Sequence, residues 1–205
     1  MRLLTPGEFQ CRTYHGLIPA VPVPFTATGA IDEAAQEHYV SYMARQPVVG
    51  VAVWAHTGRG LHLSRSQRVQ VLQSWAKGLG PEKAIVAGVG GSPQHREDFS
   101  AYVDSALEMG RDAIEHGAHA LLVHPPRLFH HVEESRKLIV DYHRQLASLG
   151  VPLILFYLYE AAGGIAYTHE VLRCLFEIPQ VAAIKLATLD RSVDITAEAL
   201  DISFA

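Results

Sequence analysis

Short apolar runs alternate along the chain with polar segments that have helical spacing. Several of the runs, such as VAVWA, ALLV and PLILF, are apolar with little alternation. That pattern is typical of strands covered on both faces of a parallel sheet. Glycine or proline bounds each run, and the predicted strands cover residues 17–25, 50–56, 85–89, 120–124, 152–158 and 181–187.

The segments between these runs predict helices over residues 31–45, 64–77, 99–116, 133–149 and 168–176. Asp32 opens the first helix, and Ser64 opens the second with Gln67 three residues later, which is a capping-box pattern. The third helix carries an apolar stripe and ends at Gly117, a residue suited to a C-cap. Strand and helix therefore alternate along the chain.

Such a βα repeat is compatible with a closed barrel and with an open doubly wound sheet. No G-x-G-x-x-G or G-x-x-x-x-G-K-[ST] motif follows any of the strands, which favours the barrel. The sequence therefore predicts an α/β fold, a TIM (β/α)8-type barrel. A complete barrel of this type has about 250 residues, whereas 205 residues hold about six βα units. We expect the barrel to be C-terminally incomplete, with residues 191–205 starting one more helix, and a single domain over residues 1–205.

Charge and composition indicate which kinds of partner and which cellular location to expect. The 17 basic and 21 acidic residues give a net charge of −4, without a dense basic run, which argues against a nucleic-acid partner. No stretch approaches the ~20 apolar residues of a membrane span, and the first residues lack the apolar core of a secretory signal. Cys11 and Cys174 are too few for a disulfide framework. We expect a cytoplasmic protein with no membrane partner.

Lys185 is the most informative single residue, because it stands alone in the apolar strand VAAIKLA. A buried ammonium group is costly, and burial lowers the pKa of a lysine toward the neutral amine that attacks a carbonyl to form a Schiff base. The other interpretation is a lysine at a strand edge whose ammonium group reaches water. The spacing alone leaves both interpretations open.

Six segments resemble, in order, the dihydrodipicolinate synthase/N-acetylneuraminate lyase family. They are LIPAVPVPFTATGAID, VAVWAHTGRGLHLSRSQR, IVAGVGG, ALLVHPP, VPLILFYLYEAAGG and VAAIKLAT, and they extend from Gly16 to about Asp190. Members of this family are class I aldolases on a (β/α)8 barrel. The resemblance implies that Lys185 forms the imine. It also implies that Thr57 and Gly58 hold the carboxylate of a 2-oxo acid, for which a turn of backbone N–H donors is well suited.

The chain departs from the family pattern where protons are transferred. Phe156 takes the place of the catalytic tyrosine, and Tyr157 is one residue later. Because a one-residue step points a side chain to the opposite face of a strand, Tyr157 could act only if the strand were bulged. His56 replaces the first threonine of the family's Thr-Thr-Gly turn, and an imidazole is suited to proton transfer at neutral pH. We therefore predict His56 or Tyr157, together with Lys185, as catalytic residues.

Two further departures bear on the substrate. Arg59 replaces the glutamate that follows the family's Thr-Thr-Gly turn, and Ala161 stands where dihydrodipicolinate synthases proper have an arginine that grips the second substrate. We therefore expect a Schiff-base-forming lyase, aldolase or dehydratase that acts on a pyruvate-like 2-oxo acid, without a cofactor and as a homo-oligomer. Lysine biosynthesis is not the expected pathway.

Two other classes of function remain open at this stage. An inactive or incomplete barrel could act only as an interaction or structural protein, because the relay tyrosine and the last two βα units are missing. A metal-dependent barrel enzyme is the third class, since the chain has 12 histidines. The spacing of the histidines is poor for ligands, so we predict no metal site; the candidates weighed are His116, His119, His124, His130 and His131.

Overall fold

A computed structural model of the chain describes residues 3–95, 97–129 and 135–188. Five parallel strands lie in chain order across one sheet. They are β1 (Gly50–Val53), β2 (Ala84–Val89), β3 (Ala120–Val123), β4 (Leu153–Leu158) and β5 (Val181–Ala187). Neighbouring strands that follow one another in sequence and run parallel are typical of a (β/α) barrel. The predicted alternation is confirmed, and the described part of the barrel is a half-barrel sheet.

Six helices accompany the strands. They are α1 (Pro6–Thr13), α2 (Glu33–Ala44), α3 (Arg65–Gly78), α4 (Phe99–Glu115), α5 (Ser135–Ala147) and α6 (His169–Phe176). The caps read from the sequence are present, because Asp32 accepts a hydrogen bond at the start of α2 and Ser64 forms a capping box with Gln67 at the start of α3. The five predicted helices are thus confirmed to within two residues at each end.

The first predicted strand, over residues 17–25, is wrong in its extent. The structure has only an isolated parallel bridge between Ala20 and Ala52 beside β1, where the Ala52 N–H donates to the carbonyl oxygen of Pro19 (2.8 Å). Pro19, Pro22 and Pro24 have no N–H group to donate to a ladder. The segment therefore lies along β1 without forming a regular strand.

The sequence prediction omits α1. Thr5 opens this helix with a capping box, and Pro6 is its first residue. Gln10 Nε2 donates to the carbonyl oxygen of Ala182 in β5 (2.9 Å), and Phe9 is 2% exposed among side chains of the inner face of the sheet. The helix therefore packs against the end of β5 that is remote from the predicted active site.

Apolar side chains cover both faces of the sheet. On β4 the side chains alternate, because Leu153, Leu155 and Tyr157 join the outer layer beneath the helices, whereas Ile154, Phe156 and Leu158 join the inner layer. The outer layer also holds the largest buried helical side chains, among them Trp75 and Tyr142. Burial on both faces explains why the strands read as continuous apolar runs.

The pairing of β4 with β5 contains one irregularity. Leu153 pairs with Val181, but the next residue, Ile154, pairs with Ala183. β5 therefore carries an extra residue at this point, and both Ala182 and Ala183 pack in the inner layer. Beyond the irregularity the pairing is regular and brings Lys185 opposite Phe156.

The helix expected to start in residues 191–205 lies outside the described residues. Among the described helices, none is long and apolar enough to cross a membrane.

Candidate active site

A cavity of about 860 Å³ lies at the carboxyl ends of the strands. The segments that follow β1, β2, β3 and β4 all contribute to its wall. Its polar lining includes His56, Arg59, Tyr102 and His124, and Leu158 is among its apolar residues. Active sites of (β/α) barrels lie at this end of the sheet, because the catalytic side chains come from strand ends and the following loops.

Lys185 lies on β5 at the same end of the sheet, with its side chain on the inner face. Its Nζ atom is 4.6 Å from the centroid of the Phe156 ring. The residue is only partly exposed, and burial lowers the pKa of its ammonium group. The apolar surroundings therefore raise the fraction of neutral amine, which is the nucleophilic form.

Phe156 has a second polar neighbour, His124, which directly follows β3. The two ring centroids are 5.5 Å apart, and Phe156 is 1% exposed. The His124 backbone N–H donates to the carbonyl oxygen of Val89 (2.8 Å), so the parallel ladder continues to this residue. Because the three strands are adjacent, His124, Phe156 and Lys185 form one row across the inner face.

The hydrogen bond of His124 defines which of its ring nitrogens carries the proton. Nε2 is 3.3 Å from the carbonyl oxygen of Trp54. A carbonyl oxygen only accepts, so Nε2 is the donor and Nδ1 holds the lone pair of the neutral ring. Burial lowers the pKa of His124 to about 4; the bond to Trp54 opposes this shift, and the charges of His56 and Lys185 add to it. His124 is therefore neutral at physiological pH.

Trp54 has an unusual backbone conformation at the end of β1, with φ of 56°. Its carbonyl is closely approached by two glycines, since a Cβ on Gly88 would lie 2.7 Å from the carbonyl carbon and a Cβ on Gly60 would lie 2.7 Å from the Trp54 Cα. A left-handed conformation in a bulky residue costs about 1–3 kcal/mol and is concentrated at functional sites. The indole itself is fully buried in the outer layer and its Nε1–H donates to the carbonyl oxygen of Arg68 (3.0 Å).

Thr57 and Gly58 lie in the turn that follows Trp54, where the Arg59 N–H donates to the carbonyl oxygen of His56 (3.1 Å). Thr57 and His56 are exposed, whereas Gly58 is buried. A Cβ on Gly58 would lie 2.9 Å from the carbonyl oxygen of Val21, so the turn packs against the proline-containing segment. The turn and Lys185 are at the same end of the sheet, and carboxylate binding by Thr57 and Gly58 stays a prediction.

Tyr157 is placed differently from Lys185. Its ring packs against Tyr167 with centroids 5.6 Å apart, in the outer layer beneath the helices. The extra residue at the irregularity between β4 and β5 belongs to β5, so the side chains of β4 still alternate between the two faces of the sheet. The structure therefore brings Phe156, and not Tyr157, to the face of Lys185.

The histidines weighed as metal ligands have other roles or lie elsewhere. Among the residues that the structure describes, no three histidine, cysteine, aspartate or glutamate side chains converge as a ligand set. His119 Nδ1 accepts a hydrogen bond from the Ile85 N–H (3.0 Å) at the opposite end of the sheet. His130 and His131 lie outside the described residues.

The strand order and the cavity at the strand ends define a (β/α)-barrel architecture, and solved structures share it. Dihydrodipicolinate synthase from Oceanobacillus iheyensis matches with a TM-score of 0.76 and 23% identity, covering 95% of this chain and 59% of that protein. N-acetylneuraminate lyase from Proteus mirabilis matches with a TM-score of 0.73 and 20% identity, covering 98% of this chain and 61% of that protein.

The chain belongs to the dihydrodipicolinate synthetase family, whose sequence model matches residues 13–201. Among its relatives, 4-hydroxy-tetrahydrodipicolinate synthase from Methanothrix thermoacetophila is 25% identical over 190 residues, which are 90% of this chain and 60% of that protein. Human N-acetylneuraminate lyase is 27% identical over 188 residues, covering 89% of this chain and 55% of that protein. The chain thus spans less than two thirds of the length of these relatives. The resemblance inferred from the sequence is confirmed.

Proposed function

We propose that this chain is part of an aldolase-type lyase that forms a Schiff base with a pyruvate-like 2-oxo acid. The observation that carries the proposal is Lys185, a partly buried lysine on the inner face of a barrel strand, whose pKa is lowered by burial and whose Nζ lies over the Phe156 ring. Similarity to lyases and synthases of one family supports an enzyme and does not favour the alternative of an interaction protein.

The chemistry follows from the neutral amine of Lys185. Its lone pair adds to the carbonyl carbon of the 2-oxo acid, and uptake of one proton from solvent followed by loss of water leaves a cationic imine on Nζ. The cationic nitrogen accepts the electron pair released when a bond to the neighbouring carbon breaks. Thr57 and Gly58, in the turn after β1, are the groups that we propose for the substrate carboxylate, because backbone N–H groups in a turn suit an anion.

The proposed reaction differs from dihydrodipicolinate synthesis. Ala161 lies in a short 3-10 turn, Glu160–Ala162, that follows β4, and the resemblance implies that synthases of the family have an arginine at this position. A methyl group offers no donor to the carboxylate of a second substrate. A lyase, aldolase or dehydratase with another electrophile is therefore the better description.

Reductive trapping tests the proposal. The protein is incubated with pyruvate and sodium borohydride and digested, and the peptides are analysed by mass spectrometry. We expect a mass increase equal to pyruvate less one oxygen atom on the peptide that contains Lys185. The adduct should be lost in Lys185→Met and kept in Lys77→Met, since Lys77 is an exposed lysine of α3. A folded protein without the adduct would contradict the proposal.

The proposal extends to assembly and location. We expect a homo-oligomer in the cytoplasm, as inferred from the sequence. Light scattering after gel filtration tests the first expectation, and cell fractionation tests the second.

A further inference from the structure

An imine on Lys185 needs a partner that accepts a proton from the bound substrate. Conversion of a pyruvate imine into its enamine removes one proton from the methyl carbon, and a positioned base accelerates such a step by about 10²–10⁴-fold. Phe156, the ring in contact with the lysine, has no group that takes up a proton. Tyr157 faces the outer layer. The base must therefore come from another element.

His124 packs against the same Phe156 ring that contacts Lys185. It lies in the same row as Lys185, with only the Phe156 ring between the two side chains, and it lines the cavity. Its Nε2–H is held by the carbonyl oxygen of Trp54, which leaves the lone pair on Nδ1. A substrate attached to Lys185 and extending over the Phe156 ring would bring its carbon chain toward this imidazole.

We propose that His124 is the proton acceptor and donor for the substrate bound to Lys185, an inference that rests on the proposed function. Nδ1 takes a proton from the carbon next to the imine carbon. The electron pair of that C–H bond forms the carbon–carbon double bond of the enamine, and the π pair of the C=N bond moves to the lysine nitrogen. The reverse step returns the proton to carbon and regenerates the imine.

The charges in the row are compatible with this step. The proton transfer moves one positive charge from the lysine nitrogen to the imidazole, so the two groups are not cationic together. The charge of Lys185 is one of the influences that lower the pKa of His124, and that influence disappears as the enamine forms. Burial of His124 remains the larger influence, so the protonated imidazole gives up its proton readily, either to the enamine carbon or to water that enters the cavity.

The other titratable groups near His124 are less well placed. His56 contributes to the same cavity but is exposed, so bulk water competes for its protons. Tyr142 donates its hydroxyl to the carbonyl oxygen of His124 (3.4 Å), and burial raises its pKa. Burial likewise raises the pKa of Tyr102 to about 12. Neither phenol is a base at neutral pH.

Exchange of the pyruvate methyl protons in D2O, followed by proton NMR, measures this step without a second substrate. Wild type, His124→Gln and Lys185→Met are compared, and borohydride trapping is measured on the same samples. We expect His124→Gln to exchange at least ~100-fold more slowly while it still forms the trapped adduct on Lys185. His119→Gln, the same substitution at the opposite end of β3, should retain both activities. Trapping in His124→Gln shows that the variant is folded.

The two proposals fail in different ways. Wild type that forms no adduct contradicts the Schiff-base function itself. Two results would overturn the role of His124 alone, provided that wild type forms the adduct. Either wild type and His124→Gln exchange the methyl protons at the same rate, or neither protein shows enzyme-dependent exchange. If His124→Gln and His124→Asn both lose trapping and exchange to the same degree, His124 supports the site structurally and the inference is also overturned.

Discussion

Acid should destabilise this fold because two histidines are buried in neutral form. His143 in α5 is fully buried, its Nδ1–H donates to the carbonyl oxygen of Ile139 (2.8 Å), and its Nε2 has no partner within the described part of the chain. Burial lowers the pKa of His143 to about 4. His124, in the candidate active site, has a pKa of about 4 for the same chief reason.

The magnitude follows from proton linkage. An unfolded histidine has a pKa of about 6.5, so the unfolded chain takes up protons between about pH 6.5 and 4 that the native chain excludes. The free energy of unfolding therefore falls as the pH falls through this window, and it levels off below about pH 4 as far as these groups are concerned. Each histidine lowers it by about 2 kcal/mol at pH 5 relative to pH 7. Two such groups remove a large share of the 5–15 kcal/mol that is typical of a domain.

Urea unfolding of wild type, His143→Leu and His38→Leu at pH 7 and pH 5 measures the effect. His143→Leu should lose about 2 kcal/mol of the difference between the two pH values, because leucine is similar in volume and takes up no proton. His38 is exposed on α2, so His38→Leu should keep the wild-type difference. Equal differences in wild type and His143→Leu would refute the reasoning, since they would mean that His143 is charged or accessible in the native state.

Two substitutions test the close packing of Gly88 against Trp54 and the contacts of Lys83 with the carboxyl end of α2. In thermal unfolding, Gly88→Ala should destabilise the fold by about 1–3 kcal/mol, because the new Cβ would lie 2.7 Å from the Trp54 carbonyl carbon. The control is Gly7→Ala in α1, where nothing lies within 4 Å of the new Cβ. This control should be neutral or slightly stabilising in the same assay. Lys83→Met should cost about 2 kcal/mol in urea unfolding, since Lys83 Nζ donates to the carbonyl oxygens of Ala44 (2.8 Å), the last residue of α2, and of Gln46 (2.6 Å). Lys77→Met should change little, because Lys77 is exposed. Wild-type stability in Gly88→Ala or Lys83→Met would contradict the corresponding contact.

The repeating part of the fold is readable from the sequence because it depends on local signals. Ser64 with Gln67 predicts the start of α3, and the structure shows that capping box. The same kind of signal, Thr5 followed by Glu8 with Pro6 between them, was available for α1. What no local pattern shows is that α1 packs against β5, because the contact from Gln10 to Ala182 joins residues far apart in sequence.

The row of His124, Phe156 and Lys185 could be predicted only in part. Lys185 stands out as a lone charge in an apolar strand, and Phe156 stands out against the family pattern. That the two side chains share a face depends on the extra residue in β5, which nothing in VAAIKLA indicates. The place of His124 depends on pairing across three strands and on the left-handed conformation of Trp54. Those are tertiary properties, so the sequence singles out the lysine and offers His124 only as a candidate metal ligand.

The carbonyl of Trp54 makes several distant positions interdependent. A side chain at residue 60 or 88 would displace this carbonyl, and a displaced carbonyl would release Nε2 of His124. The imidazole could then place its proton on either nitrogen. The effects of substitutions at Gly60, Gly88 and His124 should consequently be coupled. A transplant of Lys185 and His124 into another barrel would need the bent end of β1 as well.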